Sequence, residues 1–291
     1  DLDAATRELE QALILDPENL AGHYNLGTVL AQQGQMDEAM RHLERAIEID
    51  PEFEIAHINL AVLLARRGDV EQAAEHYSEA LAVEPDDAEA RLQRALLLLH
   101  LDRVDEAISE LEWVVREQPG SVTPHMELAR ALGAAGRYSE AADVFLRINE
   151  LEPRNLEAQY ARALSLLFSE RYPEALGHLE NNVVQNPDSL PLRHLLARFL
   201  ATCPSDDLRD GPRALQLAQG VMRAQPIPDS AETVAMAFAE TGQYDQATSV
   251  HMQIISRVGA NADAQTTERF RHHLELYQQG LPVRAPWLSD R

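Results

Sequence analysis

The amino-acid sequence predicts an all-α solenoid, an array of helical hairpins stacked side by side. Three ladders of residues with a common period of 34 carry that expectation. Prolines stand at Pro17, Pro51, Pro85, Pro119, Pro153 and Pro187. Alanines run in step at Ala5, Ala39, Ala73, Ala107, Ala141 and Ala175, and a second small-residue ladder comprises Gly27, Ala61, Ala95, Ala129 and Ala163. Small side chains at two fixed points per period let two helices cross closely. A proline at the close of each period stops the second helix and turns the chain into the next pair.

The unit is plainest in residues 20–53. His23-Tyr24-Asn25-Leu26-Gly27 lies on a first helix, Gly34 follows, and Asp37-Glu38-Ala39 opens the second helix. Leu43 and Ala46 form its inner face and Asp50-Pro51 ends it. Five full repeats span 20–189, at 20–53, 54–87, 88–121, 122–155 and 156–189, without a gap. Residues 1–19 supply the second helix of a truncated repeat, with Ala5, Leu9, Ala12 and Pro17 at ladder positions. Its first helix is missing, so Leu2, Ala5, Leu9 and Leu13 are expected to form an uncovered apolar edge. The chain reads as a piece of a longer protein.

Repeat six, 190–227, begins normally at Leu195-Leu196-Ala197, but its ladder alanine, Ala214, arrives 39 residues after Ala175. Five extra residues therefore sit between Cys203 and Pro212, with Asp210 placed as an N-cap and Pro212 in the first turn that follows. Repeat seven, 228–259, keeps Ala235, Gly242 and Ala247 and has Gly259 in place of the closing proline. Within 260–291, an amphipathic helix of about 263–279 carries Phe270, Leu274 and Tyr277 on one face. It reads as the polar-backed cap that an open-ended stack requires. An extended tail through Trp287 and Leu288 follows.

The pattern resembles the tetratricopeptide repeat of bacterial proteins, with Leu26-Gly27, Ala39 and Pro51 in place, Leu30 at the family's tyrosine and Leu43 at its phenylalanine. The family's tryptophan is replaced throughout, by His23, His57, Arg91, His125 and Gln159. The resemblance implies a right-handed superhelix whose first helices line a concave groove through positions two, five, nine, twelve and thirteen of each repeat. Those positions hold Tyr24 and Thr28, then Ile55, Ile58, Val62 and Arg66. Next come Leu92, Leu96, Leu99 and His100, then Met126 and Arg130, then Tyr160, Leu164, Leu167 and Phe168. Position six, where family members that hold peptides use an asparagine, carries Asn25 and Asn59 and then loses it. Leu96-Leu97-Leu98-Leu99 makes one helix apolar all round, so both its sides should be covered.

Composition narrows the function classes. Forty-eight acidic residues stand against 25 basic ones, a net charge of −23, and every basic residue is arginine. Nucleic acid requires the opposite sign of field. The absence of lysine removes a P-loop lysine, a Schiff-base lysine and the lysines of a family carboxylate clamp. Acidic outer faces mean a solvated, soluble surface. No apolar run approaches the roughly 18 residues of a membrane insertion. Cys203 is the only cysteine, which excludes internal disulfides, cysteine-based zinc sites and haem attachment within this chain. His23, His57 and His125 occupy equivalent points of different repeats, as do His42 and His76, and such points lie of order 10 Å apart. No single zinc site follows from that ladder. No nucleophile elbow, zincin motif or phosphate loop occurs, and the Asp206–Gly211 stretch reads as a turn and a cap.

No catalytic residue, metal or cofactor is therefore expected, and the compartment is not determined. The leading expectation is a non-catalytic scaffold holding a partner protein's extended or helical segment in an apolar groove. Two alternatives stay open. The chain could be the interaction arm of a larger enzyme or redox protein encoded upstream. It could also stack copies of itself end to end through Leu2, Leu9, Leu13 and Trp287, a contact that does not close.

Overall fold

The computed structural model describes residues 1–258 and 263–287. The expected roles of Gly259 and Leu288 lie outside the described residues. The chain divides into two compact units, Asp1–Arg137 and Tyr138–Arg291. The first contains α1 (Leu2–Leu15), α2 (Leu20–Gln32), α3 (Met36–Ile49), α4 (Glu54–Arg67), α5 (Val70–Val83), α6 (Ala88–His100), α7 (Val104–Glu117) and α8 (Val122–Ala134). The second contains α9 (Tyr138–Leu151), α10 (Leu156–Phe168), α11 (Tyr172–Gln185), α12 (Leu190–Thr202), a short 3-10 turn (Asp206–Leu208), α13 (Gly211–Ala224), α14 (Pro228–Glu240), α15 (Tyr244–Val258) and α16 (Ala264–Gln278). Among the described residues there is no strand, and within each unit consecutive helices pack on one another. The fold is an all-α solenoid of helical repeats.

The small-residue ladders mark where the helices cross. Ala39, Ala73, Ala107, Ala141 and Ala175 are all fully buried, as are Ala61, Ala95, Ala129 and Ala163. A Cβ on Gly27 would stand 3.0 Å from the Ala39 carbonyl oxygen and 3.0 Å from Leu43 Cγ, so a larger side chain there must push the hairpin apart. Larger residues such as Leu26, Leu43, Leu60 and Leu111 fill the space beside each crossing.

A third constraint lies in the turn inside each hairpin. Gly34, Gly68 and Gly136 have φ of 81°, 95° and 73°, and Asp102 and Glu170 hold the equivalent places at 59° and 60°. The turn demands a left-handed residue, which glycine adopts freely and an L side chain adopts at a cost.

The position left without tryptophan carries a polar latch. His23 Nε2 bonds the Pro17 carbonyl at 3.1 Å, and His57 Nε2 bonds that of Pro51 at 3.1 Å. Arg91 and Gln159 donate to the carbonyls of Pro85 and Pro153 at 2.6 and 2.7 Å. The other side of each latch faces the second helix of the same repeat. His23 Nδ1 meets His42 Nδ1 at 2.9 Å, His57 Nδ1 meets His76 Nδ1 at 3.0 Å, and Arg91 pairs with Glu110 at 2.7 Å. His178 bonds the carbonyl of Gln159. The two histidine ladders, separate in the sequence, are thus joined pairwise within repeats. Each bond to a proline carbonyl requires a proton on Nε2, so a neutral His23 or His57 offers Nδ1 as acceptor and its partner donates. Burial, with the neighbouring His23 and His57 second, holds the His42 and His76 imidazoles below their ordinary range. Burial pushes His178 down to about 4.

The N-terminal edge differs from expectation. No residue of α1 is buried, yet Leu9 and Leu13 are half-buried against the core of the first unit, Leu13 lying over Gly22. The bare apolar surface is instead Ile14, 77% exposed, and Leu15, 88% exposed, with Leu2 at 40%. At the other end, α16 buries Phe270 and Tyr277 and half-buries Leu274. Trp287 is corrected as an end-to-end contact: it is 4% exposed, its ring centroid 6.2 Å from both Phe199 and Tyr172 of its own unit. An aromatic already sheltered between two others has no face left for another copy.

Three outcomes follow. Ala73→Leu overfills a closed crossing and should lower the free energy of unfolding in urea by about 1–3 kcal/mol. Glu170→Gly relieves a left-handed side chain and should raise it by about 0.5–1 kcal/mol, with Asp102→Gly gaining less because aspartate tolerates that region better. The depressed histidines mean that the unfolded chain binds more protons than the folded one below its own pKa. Stability should therefore be full above about pH 6.5 and fall towards pH 4. His178→Gln, which can keep the bond to Gln159, should make urea midpoints between these pH values visibly flatter.

Candidate partner-binding surface

In the first unit, α2 and α4 leave a cleft of about 180 Å³, lined by Thr28, Ala31, Gln32, Leu43, Asn59, Val62, Leu63 and Arg66. Alternation of first and second helices puts α2 and α4 on the same side of the repeats, which is why residues 34 apart meet there. Asn59 donates to the Tyr24 hydroxyl at 3.4 Å, and the Tyr24 ring meets Phe53 edge-on at 5.2 Å. The Thr28 hydroxyl is turned back onto the Tyr24 carbonyl at 2.9 Å. Ile55 is 47% exposed, Asn25 is exposed, and Tyr24, Ile58, Asn59 and Val62 are half-buried. The structure thus brings Asn59 and Val62 to one cleft, with Tyr24 bound to Asn59.

Farther along the same unit the surface closes. Leu92 and Met126 are each only 8% exposed, so both belong to the interior and offer a partner little. Leu96 and Leu99 are half-buried and Leu98 is buried, so the leucine run is largely covered by its own unit. Arg130 is exposed and pairs with Glu127 at 3.1 Å. In the second unit, Tyr160, Leu164 and Phe168 are half-buried against the main core, with the Phe168 ring 4.9 Å from Tyr138.

The second unit also carries a charged network that the sequence reading missed. His194 Nε2 meets the Thr233 hydroxyl at 2.7 Å and its Nδ1 stands 3.5 Å from Asp229, which also accepts from Arg198 at 3.4 Å. Glu232 is fully buried, 2.9 Å from His273 Nδ1 and 3.6 Å from Arg269. Burial alone would raise the Glu232 carboxyl, but the His273 bond and the Arg198 and Arg269 charges outweigh it and hold it below the ordinary range. Burial raises the Tyr160 and Tyr277 phenols and lowers His194 and His251. His194, Arg198, Asp229 and Glu232 occupy positions five, nine, two and five of repeats six and seven. The signal that would have found them is the groove numbering itself, which the sequence reading did not carry past repeat five.

Burial raises the Cys203 thiol, which lies fully inside the second unit's core. Among the described residues, no three His, Cys, Asp or Glu side chains are grouped to hold a metal ion. No helix among them is long and apolar enough to cross a membrane.

Two family models described as tetratricopeptide repeat match the chain, one over residues 58–122 and one over 1–63 and 98–167. Together they cover residues 1–167 continuously. The chain is a tetratricopeptide-repeat protein. A search of curated proteins finds no match. Among solved structures, this repeat protein is similar to YrrB, described as a TPR protein with an unusual peptide-binding site, at 18% identity and a TM-score of 0.55 over 64% of this chain and 96% of that one. It is also similar to MamA, at 22% identity and 0.50, over 54% and 92%. A chain of the Naa15/Naa10 complex bound to HypK-THB aligns at 17% identity and 0.63, over 94% of this chain and 43% of that one. At these identities the likeness is one of fold. Tetratricopeptide repeats form protein–protein interaction scaffolds, and that is the general role of this chain's fold.

Proposed function

We propose that the chain is a non-catalytic scaffold that holds a partner protein's segment on the first-helix face of its first unit. The observation that carries this reading is the cleft between α2 and α4, an apolar floor of Leu43, Val62 and Leu63 with Asn59 at its side. Val62 and the exposed Ile55 supply the apolar contacts, and Asn59 and Asn25 can bond a ligand backbone. The YrrB likeness supports the choice of a peptide as ligand.

Charge defines the ligand further. Residues 1–137 hold 28 acidic against 11 basic residues, a net of −17, whereas residues 138–291 hold 20 against 14, a net of −6. A segment seated on the first unit therefore enters a strongly negative field, which favours a basic sequence around an aliphatic anchor. Nucleic acid, itself anionic, is disfavoured by the same field.

Selection from a displayed library of short peptides, followed by fluorescence anisotropy, tests this. Ligands should be enriched in arginine, lysine and aliphatic residues and should weaken as salt rises. Ile55→Glu with Val62→Glu should cost at least about tenfold in affinity, about 1.4 kcal/mol, with unchanged helicity by circular dichroism. Equal binding by the double variant would remove the cleft from the account.

A further inference from the structure

Two departures from the 34-residue period, the insertion in repeat six and the tail after α16, meet in the second unit. Glu240 at the end of α14 accepts from Arg209 of the insertion at 2.7 Å and from Arg284 of the tail at 2.7 Å, one arginine on each carboxylate oxygen. Arg209 also donates to the Cys203 carbonyl at 2.8 Å, which fixes the insertion against the end of α12. Five residues added to one loop thus build one wall of a seat that the tail occupies.

The seat has a definite chemistry. The last carbonyls of a helix have no partner within it. At the end of α12 two of them face the tail: the Ala285 N–H donates to Thr202 at 2.9 Å, and Arg284 donates to Ala201 at 3.3 Å. The α12 C-terminus and the Glu240 carboxylate both attract a cation. Beyond them Tyr172 and Phe199 form a slot for the indole of Trp287, which lies at 13° to the Phe199 ring. The Ala201 and Thr202 carbonyls and the Glu240 carboxylate are acceptors, so an occupant brings donors to them: a guanidinium and a backbone N–H, followed by a flat aromatic ring. The tail runs without regular structure from Leu281 to Ala285, bends at Ala285 (φ 44°), and is held by one main-chain bond, one arginine, buried Val283 and one aromatic, the way a peptide ligand is held rather than the way a repeat is packed.

We propose that this seat is a second peptide-binding site, distinct from the α2–α4 cleft, with the protein's own tail as its resting occupant. Its outside ligand is a non-helical segment of a partner protein carrying an arginine three residues ahead of an aromatic. The tail, tethered, acts at a high effective concentration. An outside segment therefore binds with its intrinsic affinity reduced by the fraction of molecules whose tail is off the seat.

The test uses the 291-residue chain and a labelled synthetic peptide of residues 281–287, followed by fluorescence anisotropy. Wild-type protein should bind the peptide at least about tenfold more weakly than Trp287→Ala, whose tail no longer fills the slot. Adding Tyr172→Ala to Trp287→Ala should abolish the gain, and a peptide with alanine for its arginine should not bind. Arg284→Ala, which leaves the slot filled and the core intact, should give an intermediate gain and decides the matter if Trp287→Ala does not fold. Flat anisotropy with a folded Trp287→Ala or Arg284→Ala protein would overturn the proposal and leave the tail a packing element. A wild-type dimer that Trp287→Ala turns into a monomer would overturn it too, because the seat would then serve tail exchange between copies.

Discussion

Everything in this chain rests on helices crossing closely enough that only alanine or glycine fits between them. That contact is geometric before it is energetic. An alanine buries little apolar area, but it lets Leu26, Leu43, Leu60 and their counterparts reach across and bury far more. At Gly27, a single methyl group would stand 3.0 Å from backbone. Close crossing also fixes which side chains the first helices have left to offer. Those consumed by packing, such as Leu92 and Met126, are lost to recognition, while Ile55 stays exposed and Asn59 half-exposed.

The fold was legible because period and residue size act together. Six prolines and two small-residue ladders in one register leave few alternatives to a repeated hairpin, and helices begin at Leu20, Glu54, Ala88, Val122 and Leu156. The Asp210 cap was legible for the same local reason, and its side chain accepts from the Arg213 N–H at 3.0 Å. The surface was less legible, because a repeat number says which way a residue points and not whether a neighbour covers it. Leu92 holds position five of its repeat and is buried. The histidine ladders, taken repeat to repeat, argue only against one shared zinc site. The pairing of His23 with His42 runs within a repeat, across a hairpin whose 19-residue offset no periodic reading of single ladders reveals.

The latches also explain how the family's missing tryptophan is tolerated. A large ring at that position would fill the entrance of the hairpin by bulk. Histidine, arginine and glutamine instead bridge it, tying the preceding proline carbonyl, directly or through their own backbone, to the second helix. A proline carbonyl in the connection between repeats has no helical partner, so the bond removes an orphan acceptor as well as closing a gap. In the second unit, Glu232 with His273 and Arg269 serves the equivalent purpose for the cap helix, the buried carboxylate meeting the Arg269 guanidinium and a bond from His273.

The left-handed turns are not equal in cost, and a modular array fails first at its dearest joint. Asp102 lies in one compact unit and Glu170 in the other, so each unit holds one hairpin whose bend opposes the preference of its own residue. Fraying under heat or mechanical load then has an internal origin in each half as well as at the chain ends. Two interior joints of this kind are where an array whose repeats touch only their neighbours should open first.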